Sequence, residues 1–136
     1  MTHEVDRRIS LFEAGTSMKL PLPGLFVAVW AIAVTGCGDK CHNEQVSVAP
    51  SPSGQFRAIV FHRNCGPTTE RNTQVAVLPK SAQLANIPGN TLIVGGDIPL
   101  KVRWDSETAL TVSGLGSARV FKQNKTAADV TISYAK

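Results

Sequence analysis

Ser51-Pro52-Ser53-Gly54-Gln55-Phe56-Arg57-Ala58-Ile59-Val60-Phe61-His62-Arg63 is the stretch that decides the fold. Its first four residues signal a turn, because proline presets φ at the second position and glycine suits the fourth. The run after it, Gln55 to Arg63, reads as a strand, and Ala58-Ile59-Val60-Phe61 is apolar on both faces, as a buried central strand is. Asn64 to Asn72 is a polar loop, and Thr73 to Leu78 is a second β-rich run ended by Pro79. Within Lys80 to Asn90, Ser81 to Ala85 suits a single helical turn that Pro88-Gly89-Asn90 stops. Thr91 to Val94 is a short strand, followed by a tight turn at Gly95-Gly96-Asp97. Leu100, Val102 and Trp104 alternate with Lys101 and Arg103, the pattern of a half-buried strand with Trp104 in the core. Asp105-Ser106-Glu107 turns the chain into Thr108 to Val112 to make a hairpin, which Ser113-Gly114-Leu115-Gly116 breaks. Ala118 to Lys122 adds a strand, and Val130 to Tyr134 alternates again as the last. Together these runs predict an all-β domain over 51–136, a small antiparallel meander or sandwich of six to seven short strands. On the other side of the deciding turn, Cys37 to Pro50 is largely polar and reads as a tether, in which Val46 and Val48 begin an edge strand.

Further upstream, Leu25 to Val34 is an uninterrupted apolar run, and no charge occurs from Leu20 to Gly38. The run suits a signal-peptide core of about 7–15 residues and is short beside the ~20 residues of a spanning helix. Pro21, Pro23 and Gly24 disfavour continuing that helix toward the N-terminus. Lys19 supplies the basic flank. Val34-Thr35-Gly36-Cys37, an aliphatic residue, two small residues and a cysteine, resembles a bacterial lipoprotein lipobox. The resemblance implies a signal helix over 18–36, cleavage before Cys37, and a diacylglyceryl thioether on that cysteine. It places the mature chain in the bacterial cell envelope, held to a membrane by lipid and facing the periplasm or the exterior. Two or more acyl chains give stable anchoring where one is marginal. An uncleaved helical anchor and an ordinary cleaved signal are the alternatives. Residues 1–17 carry Glu4, Asp6 and Glu13 against Arg7 and Arg8, a poor match to a basic leader. Met18-Lys19 makes a compact start, so 1–17 reads as a doubtful extension, the alternative being a cytoplasmic tail.

Cys37 to Lys136 is one hundred residues, one domain by size. It holds eleven Lys and Arg against seven Asp and Glu, scattered without long runs. Such a surface favours solubility and excludes the basic, aromatic-studded stripe of a nucleic-acid binder. An anionic envelope component remains a possible partner. The chain has three cysteines. With Cys37 bearing lipid, as the lipobox implies, Cys41 and Cys65 are the remaining pair, and an oxidising compartment joins them. The bridge contributes roughly 3 kcal/mol by loop entropy.

The run Ser51-Pro52-x-Gly54-x-Phe56-x-Ala58 is similar to hairpins of Tol-type and tryptophan-aspartate-repeat propellers, but one hundred residues hold too few blades for a propeller. Followed by Arg63-x-Cys65-Gly66-x-Thr68-Thr69 and Thr73-Gln74-Val75, it resembles a family of small bacterial lipoproteins and secreted proteins of unknown function. That likeness covers about a quarter of the mature chain and implies no activity.

Four polar residues, Arg63, Thr68, Thr69 and Arg71, lie on or beside the loop fastened by Cys65 and form a candidate site for an anion or a peptide backbone. The alternative is that the threonines satisfy the loop's own backbone. Cys41, His42, His62 and Cys65 form a second candidate, a tetrahedral set suited to zinc or copper if the thiols are free. Catalysis finds no support: Ser113 is outside a Gly-x-Ser-x-Gly elbow, and a disulfide forbids Cys65 as nucleophile. The expectation is a non-enzymatic binding module without cofactor, anchored to the membrane and meeting an envelope protein or an anionic envelope component. An extracytoplasmic metal-binding protein is the alternative.

Overall fold

The computed structural model describes residues 40–136. The start at Met18, the signal over 18–36 and the lipid-bearing Cys37 lie outside the described residues. Nine strands follow one another: β1 (His42–Pro50), β2 (Phe56–Asn64), β3 (Asn72–Pro79), β4 (Leu92–Gly95), β5 (Lys101–Ser106), β6 (Ala109–Ser113), β7 (Val120–Gln123), β8 (Thr126–Ala127) and β9 (Val130–Tyr134). No helix occurs among the described residues. The strands form two sheets, β1-β2-β3-β4-β7 and β5-β6-β9-β8. The first is antiparallel throughout, and the second contains one parallel pair, β6 with β9. The expected all-β domain is therefore a sandwich.

Alternation explains the core. Ala58 and Val60 on β2 face Val77 and Val75 on β3, and Val75 faces Leu92 on β4. These pack against Leu110 and Val112 of β6 and Val130 and Ile132 of β9, with Trp104 and Val102 of β5 beside them. The Trp104 indole donates to the Ala49 carbonyl at 2.9 Å, linking the two sheets along one side. Residues one step out of phase, Ile59, Phe61 and Ala76, form a second buried cluster on the outer face of the first sheet.

That outer cluster is closed by residues 80–91, where Ser81 to Ala85 does not form the expected helical turn. Leu84 packs on the cluster. The carbonyls that a helix would use internally accept from the sheet instead: Ala82 from Arg57, and Ala85 and Ile87 from the Asn43 amide. Gly89 N–H donates to the Gln74 side chain at 2.6 Å. The segment is a strap laid across the sheet.

Three further differences concern connectivity. β1 begins at His42, before Val46, so the stretch read as a tether is mostly an edge strand paired with β2, with a bulge between Gln45 and Ser47. Gly95-Gly96-Asp97 and Gly114-Leu115-Gly116, read as turns between neighbours, are where the chain passes from one sheet to the other. Gly114 sits at φ +89°, and a Cβ there would stand 2.9 Å from the Pro99 carbonyl, so this crossing takes glycine alone without strain. Finally, the strand count rises to nine because β1 and the two-residue β8 join the set.

Candidate functional site

The inner face of the first sheet changes character along β2. Ala58 and Val60 lie in the core, and His62, two residues on, occupies the same face where the apolar stripe ends. Register sets His62 opposite Glu44 on β1 and Thr73 on β3, and sets His42 opposite Asn64. The next pair toward the end of the ladder is Cys41 and Cys65, which form a disulfide. The passage from β4 to β5 folds over this end and brings in Asp97. The result is an open concavity of about 290 Å³ lined by Lys40, His42, Glu44, His62, Asn64, Gly66 and Arg71.

Hydrogen bonding assigns the His62 ring. The Thr73 hydroxyl, fully buried, donates to the Gly96 carbonyl at 2.7 Å and accepts from the Ile98 N–H at 2.8 Å. Its single hydrogen is committed, so at the 3.2 Å contact with His62 Nδ1 the ring is the donor. Asp97 Oδ1 stands 3.4 Å from the same nitrogen. Nδ1 therefore carries the proton, and Nε2 is the acceptor nitrogen of the neutral ring. Arg71 completes the rim, with Nη2 at 3.3 Å from Glu44 and Nη1 at 3.4 Å from Asp97. Both pairs are exposed to solvent, where such contacts are worth under about 1 kcal/mol. Both carboxylates of the rim are thus engaged by Arg71, while Lys40 and the two imidazoles add further basic groups. The concavity offers charge and hydrogen-bond donors. Among the described residues no serine or threonine hydroxyl and no free thiol lines it.

The four loop residues expected to act together are divided. Arg63 belongs to the opposite face of β2 from His62, because side chains alternate along a strand. It is only 6% exposed, and its Nη1 donates to Asn43 at 2.7 Å and Asn86 at 3.0 Å beneath the strap. Thr68 and Thr69 are exposed, and the Thr69 hydroxyl donates to the Gly66 carbonyl. Of the four, Arg71 alone reaches the concavity. The alternative donor set Cys41, His42, His62 and Cys65 loses both thiolates to the disulfide. Among the described residues no three His, Cys, Asp or Glu converge as metal ligands do. Asp97 and Glu44 escape a sequence reading because neither has a local signal. Glu44 looks like part of a tether and Asp97 like part of a turn.

A second surface lies along the side of the sandwich. β1 is the edge of the first sheet and β5 the edge of the second, and they run side by side. Between them is an open groove of about 530 Å³ lined chiefly by Val46, Val48, Pro99 and Val102. Val46 is 54% exposed and Val48 38%.

No protein-family model matches the chain, and neither a curated protein nor a solved structure does. The likeness carried by residues 51–75 rests on those residues alone.

Proposed function

We propose that this chain is a lipid-anchored protein of the bacterial envelope that acts by binding, taking an extended segment of an envelope protein along the β1–β5 side. The observation that carries the reading is the pair of adjacent sheet edges flanking an apolar groove. Unpaired strand edges are templates for another chain, and folded proteins usually cover or charge them. Here the groove instead exposes Val46 and Val48. A peptide added to β1 gains backbone hydrogen bonds, and the groove selects its apolar side chains. The Cys41–Cys65 disulfide supports an oxidising compartment, and the Val34-Thr35-Gly36-Cys37 motif supports acylation.

A photocrosslinking side chain at Val48, in cells producing the full chain, tests the groove. A discrete protein adduct at Val48, absent with the same probe at exposed Ser81, is expected. Identical adduct patterns at the two positions would overturn the groove assignment. The anchor is tested separately by the intact mass of protein extracted from membranes: a chain starting at Cys37, carrying acyl mass, and gaining two hydrogens on reduction.

A further inference from the structure

We infer that the disulfide end of the sandwich faces the membrane and that Lys40 and Arg71 of its concavity receive the phosphate of an anionic phospholipid headgroup. The inference rests on the acylated Cys37 of the proposed function. Its geometric premise is the shortness of the tether. Cys41 is bonded to Cys65 and thus fixed to the end of β2. Only residues 38–40 separate it from Cys37. Four steps of extended chain reach at most about 14 Å, whereas a domain of this size, with a radius of gyration of about 13 Å, is about 34 Å across as a uniform sphere. The far end of the sandwich is therefore out of reach of the bilayer surface, and the disulfide end is held near it.

Chemistry at that end fits what it meets. Lys40 directly precedes the bridged Cys41 and His42 directly follows it, and both line the concavity with His62 and Arg71. A guanidinium is suited to phosphate oxygens, which it can meet with two parallel bonds. Arg71 is 44% exposed and its contacts to Glu44 and Asp97 are 3.3 and 3.4 Å, longer than the roughly 2.7–2.9 Å of a tight charge-assisted bond. Its five N–H donors let it meet a headgroup oxygen while Nη1 and Nη2 keep their contacts to Asp97 and Glu44. Attraction to such a surface falls off within about 8 Å at physiological salt, so only the tethered end senses it.

The test uses native acylated protein purified from membranes and reconstituted into phosphatidylcholine vesicles with or without phosphatidylglycerol. Amide hydrogen exchange is read at 40–41 and 65–71. Exchange there is expected to slow about fivefold per engaged cation when phosphatidylglycerol is present. In the Lys40→Gln, Arg71→Gln double variant the two vesicle types should give the same exchange, with an unchanged thermal midpoint. Equal exchange of the unsubstituted protein in both vesicles, with acylation verified by mass, overturns the inference. Slowing by inorganic phosphate in detergent, equal to that in anionic vesicles, overturns the membrane assignment and leaves a soluble-anion site. A protein without acyl mass at Cys37 fails the anchor reading instead, and does so visibly in the mass spectrum.

Discussion

Glu107 sits in the β5–β6 turn and accepts from the Ser51 hydroxyl at 2.7 Å, the Ser53 hydroxyl at 2.6 Å and the Ser53 N–H at 2.8 Å. One carboxylate thereby ties the turn of the deciding stretch, in the first sheet, to a turn of the second. The Ser53 hydroxyl, then the Ser51 hydroxyl and the Ser53 N–H, hold its pKa below the usual 4.5. A carboxyl with a depressed folded pKa adds stability above its unfolded pKa and loses it as pH falls through the folded value. Glu107→Gln should therefore lower the melting midpoint at neutral pH, with the gap to the parent closing in acid below pH 4.5. Melts at several pH values check this. Tyr134, the chain's single tyrosine, gives the opposite case. Its hydroxyl donates to the Asn124 carbonyl at 2.5 Å, and burial pushes its pKa up to about 12. The folded chain should keep the phenol protonated where the unfolded chain ionises it, so stability present below pH 10 is lost between about 10 and 12. Phenolate absorbance in native and denatured protein reads this directly, with no second tyrosine to confuse it.

Two elements test how local preference meets tertiary demand. The strap over residues 80–91 is held by Asn43, whose amide donates to the Ala85 and Ile87 carbonyls while its oxygen accepts from buried Arg63. Asn43→Ala removes all three bonds and leaves a buried guanidinium with Asn86 as its remaining partner, which should cost about 1–3 kcal/mol in denaturant unfolding. Exchange at 82–87 should rise with it. The β8–β9 hairpin turns on Ala128 at φ 49° and Asp129 at φ 63°, the left-handed pair of a two-residue turn. Alanine is strained there, so Ala128→Gly should raise stability by about 0.5–1 kcal/mol on the same assay.

For the whole molecule the disulfide is the main covalent constraint, closing 24 residues of sequence separation between the start of β1 and the end of β2. Reduction should lower unfolding stability by roughly 3 kcal/mol, measured by denaturant titration with and without reductant. It should loosen the 40–44 end of β1 first, since the rest of β1 stays paired with β2 and linked to Trp104. The same constraint keeps the disulfide end of the sandwich close in sequence to Cys37, so reduction also lengthens the tether on which the membrane-facing inference depends.

Strand positions from β2 to β7 and at β9 are legible because each needs only its own residues. Ala58 to Phe61 is apolar on both faces because both faces are covered, one by the second sheet and one by the strap. Leu100 to Trp104 alternates because only one side is buried. The Cys41–Cys65 pairing follows from the cysteine count once Cys37 is set aside. The strap is not legible, since Ser81 to Ala85 has acceptable helix formers and its actual partners, Asn43 and Arg57, lie far back in the chain. Nor are the sheet crossings, because Gly95-Gly96 and Gly114-Leu115-Gly116 look the same whether the next strand joins the same sheet or the opposite one. The concavity is half legible: Arg71 and His62 are visible as polar residues near Cys65, while Arg63, equally visible, belongs to the other face. Alternation and turn chemistry are properties of a few consecutive residues, so the β class, seven of the nine strands and, with Cys37 set aside on the lipobox likeness, the bridge could be read from the chain. Which strands pair, that β6 and β9 run parallel, and that Asp97 and Glu44 meet Arg71 depend on contacts across tens of residues, which only the closed sandwich supplies.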